Sequence, residues 1–294
     1  MKLVLGTVQF GLPYGITNTN GQPSLDDSFA VLDAAWESGV TILDSAQLYG
    51  EANTIIANYH ASRPHRFKII NKVLRYRENL ESVYAYLERE RERLLIDQFE
   101  CVMFHSPESI DNRVSDDFFM KLSALGLSKK SGVSFDDPKE LLSLQERFSF
   151  DVVQLPSNPI NLHFMPDDFM SALAASGIDV HVRSAFLQGL LISGLEPPPY
   201  LQRLSIFINK MSEDVRSHGL TMISACLLYH LQKHSIGHIV VGAQNITQWK
   251  EILAAYQLAC EAKDNISLPW ASYACPNYEL VHPLEWIRLK AESV

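Results

Sequence analysis

The residues Phe67-Lys68-Ile69-Ile70-Asn71 form a short apolar run, and a second run, Phe99-Glu100-Cys101-Val102-Met103-Phe104, follows further along the chain. Between them, Asn79–Leu95 carries apolar residues on one side and Glu and Arg on the other, which is typical of an amphipathic helix. Runs that are apolar at nearly every position are typical of parallel strands covered on both faces. This stretch therefore predicts a strand–helix–strand unit of a parallel sheet.

The same alternation of apolar runs and amphipathic stretches extends along the whole chain. The expected strands are Leu3–Val8, Val40–Leu43, Phe67–Asn71, Phe99–Phe104, Leu127–Val133, Asp151–Leu155, Ile178–Val182 and Gly237–Val241. The expected helices are Leu25–Ser38, Asn79–Leu95, Ser115–Ala124, Pro138–Arg147, Asp167–Ala175, Tyr200–His218, Met222–Lys233 and Thr247–Cys260. Eight strands, each followed by at least one helix, predict an α/β protein built as a single (β/α)₈ TIM barrel.

An open, doubly wound sheet is the alternative α/β architecture. It usually places G-x-G-x-x-G after its first strand, and Gly6-Thr7-Val8-Gln9-Phe10-Gly11 lacks the middle glycine. We therefore expect residues 1–294 to form one barrel domain, with residues 263–294 as a C-terminal segment that wraps around it.

Composition and charge narrow the classes of partner. The 294 residues are 47% hydrophobic, and their net charge of −9 disfavours binding to nucleic acid or to a membrane surface. The four cysteines form no CxxC pair, which favours free thiols in a reducing compartment. The start MKLVLGTVQFG has too short an apolar run for a signal peptide, so we expect a cytoplasmic protein.

Four side chains with different chemistry follow neighbouring strands. Asp44, Lys72 and His105 come directly after the expected second, third and fourth strands, and Tyr49 lies in the loop that follows Asp44. Functional residues of a barrel lie at the carboxyl ends of its strands. We therefore expect these four side chains to converge at one mouth of the barrel.

This set of side chains fits the reduction of a carbonyl group. A tyrosine phenol with a pKa of about 10 keeps its proton at neutral pH and can donate it to a developing alkoxide. An ammonium group such as that of Lys72 favours the phenolate, and a carboxylate such as Asp44 keeps a buried lysine charged. His105 could orient the carbonyl oxygen through a hydrogen bond, or it could itself act as the general acid.

The motifs around these residues resemble those of the aldo-keto reductases. The segment Leu43-Asp44-Ser45-Ala46-Gln47-Leu48-Tyr49-Gly50 is similar to the D-T-A-x-x-Y-G signature of that family, and Lys72 and His105 match its other two catalytic positions. Leu5-Gly6-Thr7, Gly132-Val133-Ser134 and Val153-Gln154 resemble further family motifs. The resemblance extends from residue 3 to about residue 260.

The resemblance implies an oxidoreductase that uses NADPH or NADH, and no metal, to reduce a small-molecule carbonyl compound to an alcohol. Tyr49 would be the acid, with Asp44, Lys72 and His105 in support; Ser134 and Gln154 would hold the nicotinamide carboxamide. The cofactor-binding residues that it implies are Gly6, Thr7, Asp44, Ser134, Gln154, Arg183, Ser184, Gly242, Gln244, Asn245, Gln248 and Glu251, the last two near the adenine.

The sequence departs from the family pattern at three places. Gln244 and Asn245 stand where an arginine or lysine commonly neutralises the 2′-phosphate of NADPH, which leaves the choice between NADPH and NADH open. Phe135 stands where an asparagine commonly helps to hold the carboxamide. Arg183 replaces the aromatic residue that commonly stacks on the nicotinamide, so it could stack, bind an anion or form a salt bridge at the strand end.

Residues expected at the barrel mouth indicate how polar the substrate is. The expected pocket residues are Phe10, Tyr14, Tyr49, His105 and Phe186. Polar groups at Gln9, Gln47, Asn158 and Arg183 would remain unpaired beside an apolar substrate, which favours a polar, hydroxylated carbonyl compound such as a sugar.

Other interpretations remain at this point. Lys72 could form a Schiff base in a barrel lyase, or the protein could bind NAD(P)H as a partner subunit without catalysis. His230 and His234 share a helical face, and we expect that face to be solvated rather than to bind a metal. His181 and His238 show no ligand spacing. The sequence leaves the oligomeric state undetermined.

Overall fold

The fold is a closed parallel barrel. The computed structural model describes residues 1–74, 80–110, 114, 117–162 and 167–293. Eight strands run through these described residues in chain order: β1 (Leu3–Gly6), β2 (Ile42–Ala46), β3 (Lys68–Val73), β4 (Phe99–Phe104), β5 (Ser128–Ser134), β6 (Val152–Pro156), β7 (Asp179–Arg183) and β8 (Ile236–Val241). Each strand pairs in parallel with the next, and β8 pairs with β1. The predicted (β/α)₈ barrel is therefore confirmed.

Helices surround the barrel. They are α1 (Val8–Gly11), α2 (Leu25–Glu37), α3 (Ala52–Ser62), α4 (Leu80–Arg93), α5 (Phe118–Ala124), α6 (Pro138–Gln145), α7 (Asp167–Ala175), α8 (Ser205–Ser217), α9 (Met222–Leu231), α10 (Ile246–Ala262), α11 (Tyr278–Val281) and α12 (Trp286–Glu292). Helix α2 begins as its sequence predicts, because the side chain of Ser24 accepts a hydrogen bond from the backbone N–H of Asp27.

Several local features differ from the sequence prediction; for example, Val8, expected to end the first strand, begins helix α1. The prediction missed helix α3, because polar residues such as Asn53 and Thr54 interrupt its apolar pattern; Asn53 is nevertheless buried. Strand β2 begins two residues later than expected and includes Asp44. The expected helix Tyr200–His218 is divided into a 3₁₀ segment, Pro199–Leu204, and α8. Asn79 and Ser115, the expected starts of two helices, lie outside the described residues.

Strand register sets which side chains enter the barrel. Ala46 pairs with Lys72 across β2 and β3, and Ser134 pairs with Gln154 across β5 and β6. Side chains alternate between the two faces of a strand. Lys72 therefore points the same way as Ile70, which packs with Cys101, Met103 and Val152 in a small cluster separate from the main core.

The C-terminal segment, residues 263–293 of the described chain, contacts the loop after β6. The amide of Cys275 donates to the carbonyl of Ile160 over 2.9 Å, and Asn161 donates through Nδ2 to the carbonyl of Val281 over 3.3 Å. All four cysteines are free thiols. Among the described residues, no helix combines the length and the apolar character that crossing a lipid bilayer would require.

Candidate active site

Asp44, Lys72 and Gln154 form a buried triangle inside the barrel, near the carboxyl ends of β2, β3 and β6. Lys72 donates from Nζ to Oδ1 of Asp44, and it also donates to Oε1 of Gln154 over 2.9 Å. Gln154 closes the triangle by donating from Nε2 to Oδ2 of Asp44 over 2.7 Å. All three side chains are almost fully shielded from solvent. The ion pair therefore has polar partners that offset the cost of burying its charges.

The surroundings of Lys72 keep it protonated. Burial by itself would lower the pKa of this ammonium group, but Asp44 and Tyr49 beside it raise the pKa above its usual value. The lysine is thus a fixed positive charge, and its Nζ lies 5.2 Å from the centre of the Tyr49 ring.

Two glycines hold the loop that carries Tyr49. Gly50 has a φ of +50°, a backbone conformation that costs free energy for residues other than glycine. A Cβ atom on Gly50 would collide with the carbonyl oxygen of Gly11, and a Cβ atom on Gly11 would collide with that of Tyr49. Helix α1 and the β2 loop therefore approach backbone to backbone, which fixes the position of Tyr49.

His105 lies beside the phenol. The rings of Tyr49 and His105 meet edge to face, with their centres 5.9 Å apart. Burial, with the positive charges of Lys72 and Arg183, lowers the pKa of His105 to about 4. Within the described part of the chain its Nδ1 has no hydrogen-bond partner. His105 is therefore neutral at pH 7, which suits a hydrogen bond to a substrate oxygen better than the role of proton donor.

A cavity of about 390 Å³ opens above these residues. A second cavity of about 340 Å³ shares Gln9, Tyr14, Gln188, Gly189 and Gly242 with the first, so the two form one elongated channel. The predicted site residues that line the first cavity are Gly6, Tyr14, Asp44, Tyr49, Lys72, His105, Ser134, Arg183, Ser184, Phe186 and Gly242. Those that line the second are Tyr14, Gly242, Gln244, Gln248 and Glu251.

Four predicted site residues line neither cavity. Phe10 is fully buried in the core, and Gln154 faces the ion pair of Asp44 and Lys72. Thr7 anchors the backbone of β2, since its amide and its hydroxyl both donate to the carbonyl of Asp44 over 3.0 Å. Asn245 caps α10 and accepts from the amide of Gln248 over 3.0 Å.

Arg183 takes part in a charged cluster on the cavity wall. Its guanidinium donates to Oδ1 of Asp136 over 2.8 Å and to Oγ of Ser134 over 3.2 Å. His282 approaches the same Asp136 oxygen to 3.5 Å. Burial would raise the pKa of Asp136, but His282 and Arg183 hold it well below its usual range. Of the three roles expected for Arg183, the salt bridge is the one that the structure contains.

Sequence reasoning missed Asp136 and His282. Asp136 comes two residues after the end of β5, and strand-end position was the signal that could have identified it. No local pattern indicates His282, because only the path of the C-terminal segment brings it to the cavity, together with Pro283 and Leu284. Two of the polar residues expected at the mouth, Gln47 and Asn158, do not line either cavity.

The channel passes the end of β8 and the amino end of α10, whose residues could hold an elongated, phosphate-bearing cofactor. Gly242 follows β8, and a Cβ atom there would collide with the side chain of Gln9. Oε1 of Gln9 is buried without a hydrogen-bond partner among the described residues. The amino end of α10 lies just beyond, and helix amino ends attract phosphate. Arginine and lysine are both absent from the described lining of the second cavity.

An acid, a lysine, a phenol and an imidazole thus stand together at the carboxyl mouth of this (β/α)₈ barrel. A family model described as "Aldo/keto reductase family" matches residues 2–267. The chain therefore belongs to the aldo/keto reductase family, whose members are oxidoreductases that act on small-molecule carbonyl compounds.

Solved structures share the fold. A glycerol dehydrogenase from Gluconobacter oxydans is 16% identical, with a TM-score of 0.70, and the match covers 94% of this chain and 93% of that one. An aldo-keto reductase from Bacillus halodurans, in its holo form, is 17% identical with a TM-score of 0.69 over the same shares. No curated protein matches the sequence.

Proposed function

We propose that this protein is an NAD(P)H-dependent reductase that converts a polar aldehyde or ketone to an alcohol, with Tyr49 as the proton donor. The observation that carries the proposal is the convergence of Asp44, Tyr49, Lys72 and His105 on the wall of one cavity. These groups supply what carbonyl reduction requires of a protein: a proton for the oxygen and a fixed electrostatic environment for the charge that develops there.

The nicotinamide, when bound, supplies the hydride that reaches the carbonyl carbon. Tyr49 gives its hydroxyl proton to the carbonyl oxygen as negative charge develops there. Lys72 stabilises the resulting phenolate, and Asp44 keeps the lysine charged in its buried position. Gln154 holds the carboxylate and the ammonium group in a fixed geometry through two hydrogen bonds.

His105 orients the carbonyl group. Because its pKa is lowered to about 4, the imidazole is neutral at physiological pH and has one N–H to donate. A neutral donor beside Tyr49 directs the carbonyl oxygen towards the phenol without competing to protonate it.

The cofactor occupies the channel in this proposal. We assign Ser134 to the nicotinamide carboxamide and Gly6, Ser184 and Gly242 to the cofactor wall, which their place in the lining of the first cavity supports. Gln244, Gln248 and Glu251 line the second cavity, where we place the adenosine. Gln154 remains a proposed carboxamide contact only if it exchanges its present partners, Asp44 and Lys72.

The cavity wall suits a hydroxylated substrate. Gln9, Asp136, Arg183 and Gln188 present polar atoms to the cavity, and Tyr14 and Phe186 present aromatic faces. An apolar substrate would leave Oε1 of Gln9 buried and unpaired, at a cost of about 1–3 kcal/mol. The four free thiols also suit a reducing compartment, so we place the reaction in the cytoplasm.

The buried ion pair argues against a lyase that uses Lys72 as a Schiff base. A nucleophilic lysine must lose its proton, whereas Asp44 and Tyr49 raise the pKa of Lys72. A protein that binds NAD(P)H without catalysis would have no need of a phenol, a lysine and an imidazole at one cavity wall.

The test is reduction of a panel of aldehydes, ketones and sugars by NADH and by NADPH, followed through nicotinamide absorbance, with Tyr49→Phe beside the wild type. We expect turnover by the wild type and a loss of at least a hundredfold in kcat for Tyr49→Phe, with the cofactor Kd unchanged. Retention of more than about a tenth of kcat by Tyr49→Phe would remove Tyr49 from the acid role. Cofactor binding without turnover of any carbonyl would contradict the reductase proposal.

A further inference from the structure

Three side chains gather at the opposite end of the barrel from the candidate active site. Asp179 begins β7, and His181 follows two residues later on the same face of that strand. On β8, His238 is the Cα partner of His181. Their ligand atoms, two imidazole nitrogens and a carboxylate oxygen, all lie within 4.8 Å of one another.

A register shift between β7 and β8 creates this arrangement. Val180 pairs with Ile236, but the next residue, His181, pairs with His238, so Gly237 is an extra residue in β8. A Cβ atom on Gly237 would collide with Oδ1 of Asp179. The extra glycine therefore makes room for the carboxylate and brings the two imidazole rings to a centre-to-centre distance of 4.5 Å.

The buried imidazole of His181 lacks hydrogen bonds. It is 3% exposed, and within the described chain neither ring nitrogen has a hydrogen-bond partner of acceptable geometry. Its Nε2 nevertheless lies 3.2 Å from Oδ2 of Asp179. Burying a ring nitrogen without a well-aligned hydrogen bond costs free energy, and a metal ion that accepts an electron pair from Nε2 would offset part of that cost.

We propose that Asp179, His181 and His238 bind one divalent transition-metal ion, with zinc as the reference ion, at the amino end of the barrel. Two imidazoles and one carboxylate are a donor set that Zn²⁺ takes with a water molecule as the fourth ligand. Tetrahedral bonds of 2.0–2.1 Å put ligand atoms about 3.3 Å apart. His181 Nε2 lies 3.2 Å from Oδ2 of Asp179, and His238 Nδ1 lies 3.4 Å from Oδ1. Each nitrogen thus faces a different carboxylate oxygen, and the three ligand atoms, which lie within 4.8 Å of one another, would draw together around an ion.

The site is partly open to solvent. Asp179 and His238 are about one quarter exposed, so an ion can reach the site from solvent.

One cation competes for the carboxylate. Nζ of Lys130 lies 3.7 Å from Oδ2 of Asp179, and Lys130 is 41% exposed, so its side chain can swing into solvent when an ion binds. Lys2 lies on the same side of the barrel and donates from Nζ to the carbonyl of Ile236 over 2.6 Å. These positive charges weaken metal binding without blocking it, so removing Lys130 should strengthen it.

The site joins the strands β7 and β8 and contains none of the proposed catalytic residues. A metal bound there stabilises the folded protein, since an ion that binds only the folded state raises its stability with concentration. The proposal is therefore independent of the reductase activity.

The experiment is titration of the full-length protein with Zn²⁺ by calorimetry and with Co²⁺ by visible absorption, together with Tm measured across Zn²⁺ concentrations. The variants are His238→Ala, Lys130→Met and His234→Ala, the last removing an exposed histidine outside the cluster. We expect one saturable ion per chain and a Tm that rises with Zn²⁺. His238→Ala should weaken Zn²⁺ binding at least tenfold, and Lys130→Met should tighten it about threefold to tenfold. His234→Ala should change neither the affinity for Zn²⁺ nor the rise of Tm with Zn²⁺.

Absence of saturable Zn²⁺ and Co²⁺ binding by the wild type up to about 1 mM would overturn the proposal, since weaker binding has no specificity. Equal affinities of the wild type and His238→Ala would overturn it as well, because the ion would then be bound elsewhere. Asp179→Asn gives a second test of the same ligand set. An unchanged Kd for Zn²⁺ in that variant would also show that the ion is bound elsewhere and would overturn the proposal.

Discussion

Gln154 donates a hydrogen bond from Nε2 to Oδ2 of Asp44 over 2.7 Å, while its Oε1 accepts one from Lys72 over 2.9 Å. This fully buried amide thus bridges both members of the ion pair proposed to act in catalysis. The sequence analysis predicts a different role for Gln154, which is to hold the nicotinamide carboxamide. The two roles have different kinetic consequences, so they can be separated.

Substitution of Gln154 by Ala should lower kcat by about tenfold to a hundredfold, because a hydrogen bond to a charged group is worth about 1.5–3 kcal/mol. The cofactor Kd, measured by fluorescence titration, should change less than threefold. Ser134→Ala, which alters a residue that lines the cavity, is the comparison and should mainly raise the cofactor Kd. A larger effect of Gln154→Ala on Kd than on kcat would return Gln154 to the carboxamide role.

Replacing Gly50 by Ala should displace the loop that carries Tyr49, since the new Cβ atom would collide with the carbonyl oxygen of Gly11. We expect kcat to fall at least tenfold with little change in cofactor Kd. Gly126→Ala is the matched control, because Gly126 also has a positive φ but has open space around it. If both variants lose activity equally, backbone strain alone, and not the approach of Gly11, is the cause.

Cofactor preference should be weak, with kcat/KM for NADPH and NADH within about tenfold of each other. The described lining of the second cavity offers no arginine or lysine to the 2′-phosphate, which therefore lacks a charge-assisted hydrogen bond worth about 1.5–3 kcal/mol. Gln244→Arg should shift the ratio towards NADPH, and Gln202→Arg, an exposed glutamine outside both cavities, should not. A hundredfold NADPH preference in the wild type would show that another residue binds the phosphate.

Substitution of Arg183 by Ala should reduce kcat/KM for hydroxylated aldehydes about tenfold more than for apolar aromatic aldehydes of similar size. The change removes polar atoms from the cavity wall and leaves the Asp136 carboxylate with His282 as its remaining charged or polar neighbour. The cofactor Kd of the same variant reports whether Ser134, which Arg183 also contacts, is disturbed. Preferential turnover of the apolar aldehydes by the wild type, with the same ranking in Arg183→Ala, would contradict the proposed substrate class.

Stability should fall as the pH drops below about 6.5, in part because of His230. The expectation of a solvated face was wrong here: His230 is fully buried and contacts the carbonyl of Cys226 and the hydroxyl of Ser157 over 2.8 Å and 3.0 Å. Burial lowers its pKa to about 4. The unfolded chain therefore takes up a proton first, and stability present above pH 6.5 is lost as the pH falls towards 4.

By pH 5 this histidine alone should cost about 2 kcal/mol. The measurement is Tm at pH 7 and pH 5 for the wild type, His230→Gln and the exposed-site control His218→Gln. The decrease in Tm should be smaller in His230→Gln than in the other two proteins. Equal decreases in all three would mean that protonation of His230 does not contribute.

The barrel could be predicted because each strand and helix has an apolar pattern within its own short stretch of sequence. A run such as Cys101–Phe104 is apolar at each position since the strand is covered on both faces, and the amphipathic pattern of α4 or α10 reflects one buried side. Strand ends then indicated Asp44, Lys72 and His105, because every parallel strand of a barrel ends at the same mouth. The sequence alone thus determined the fold class and the order of the proposed catalytic residues.

The tertiary structure decided which side chains meet. Gln154 reaches Asp44, and Arg183 pairs with Asp136, through the register of strands around the closed barrel. The extra residue Gly237 places His238 opposite His181, and no spacing in the sequence reports such a shift. These contacts join residues far apart in the chain, and their distances depend on the closure of the whole sheet, whereas periodicity describes only a residue and its near neighbours.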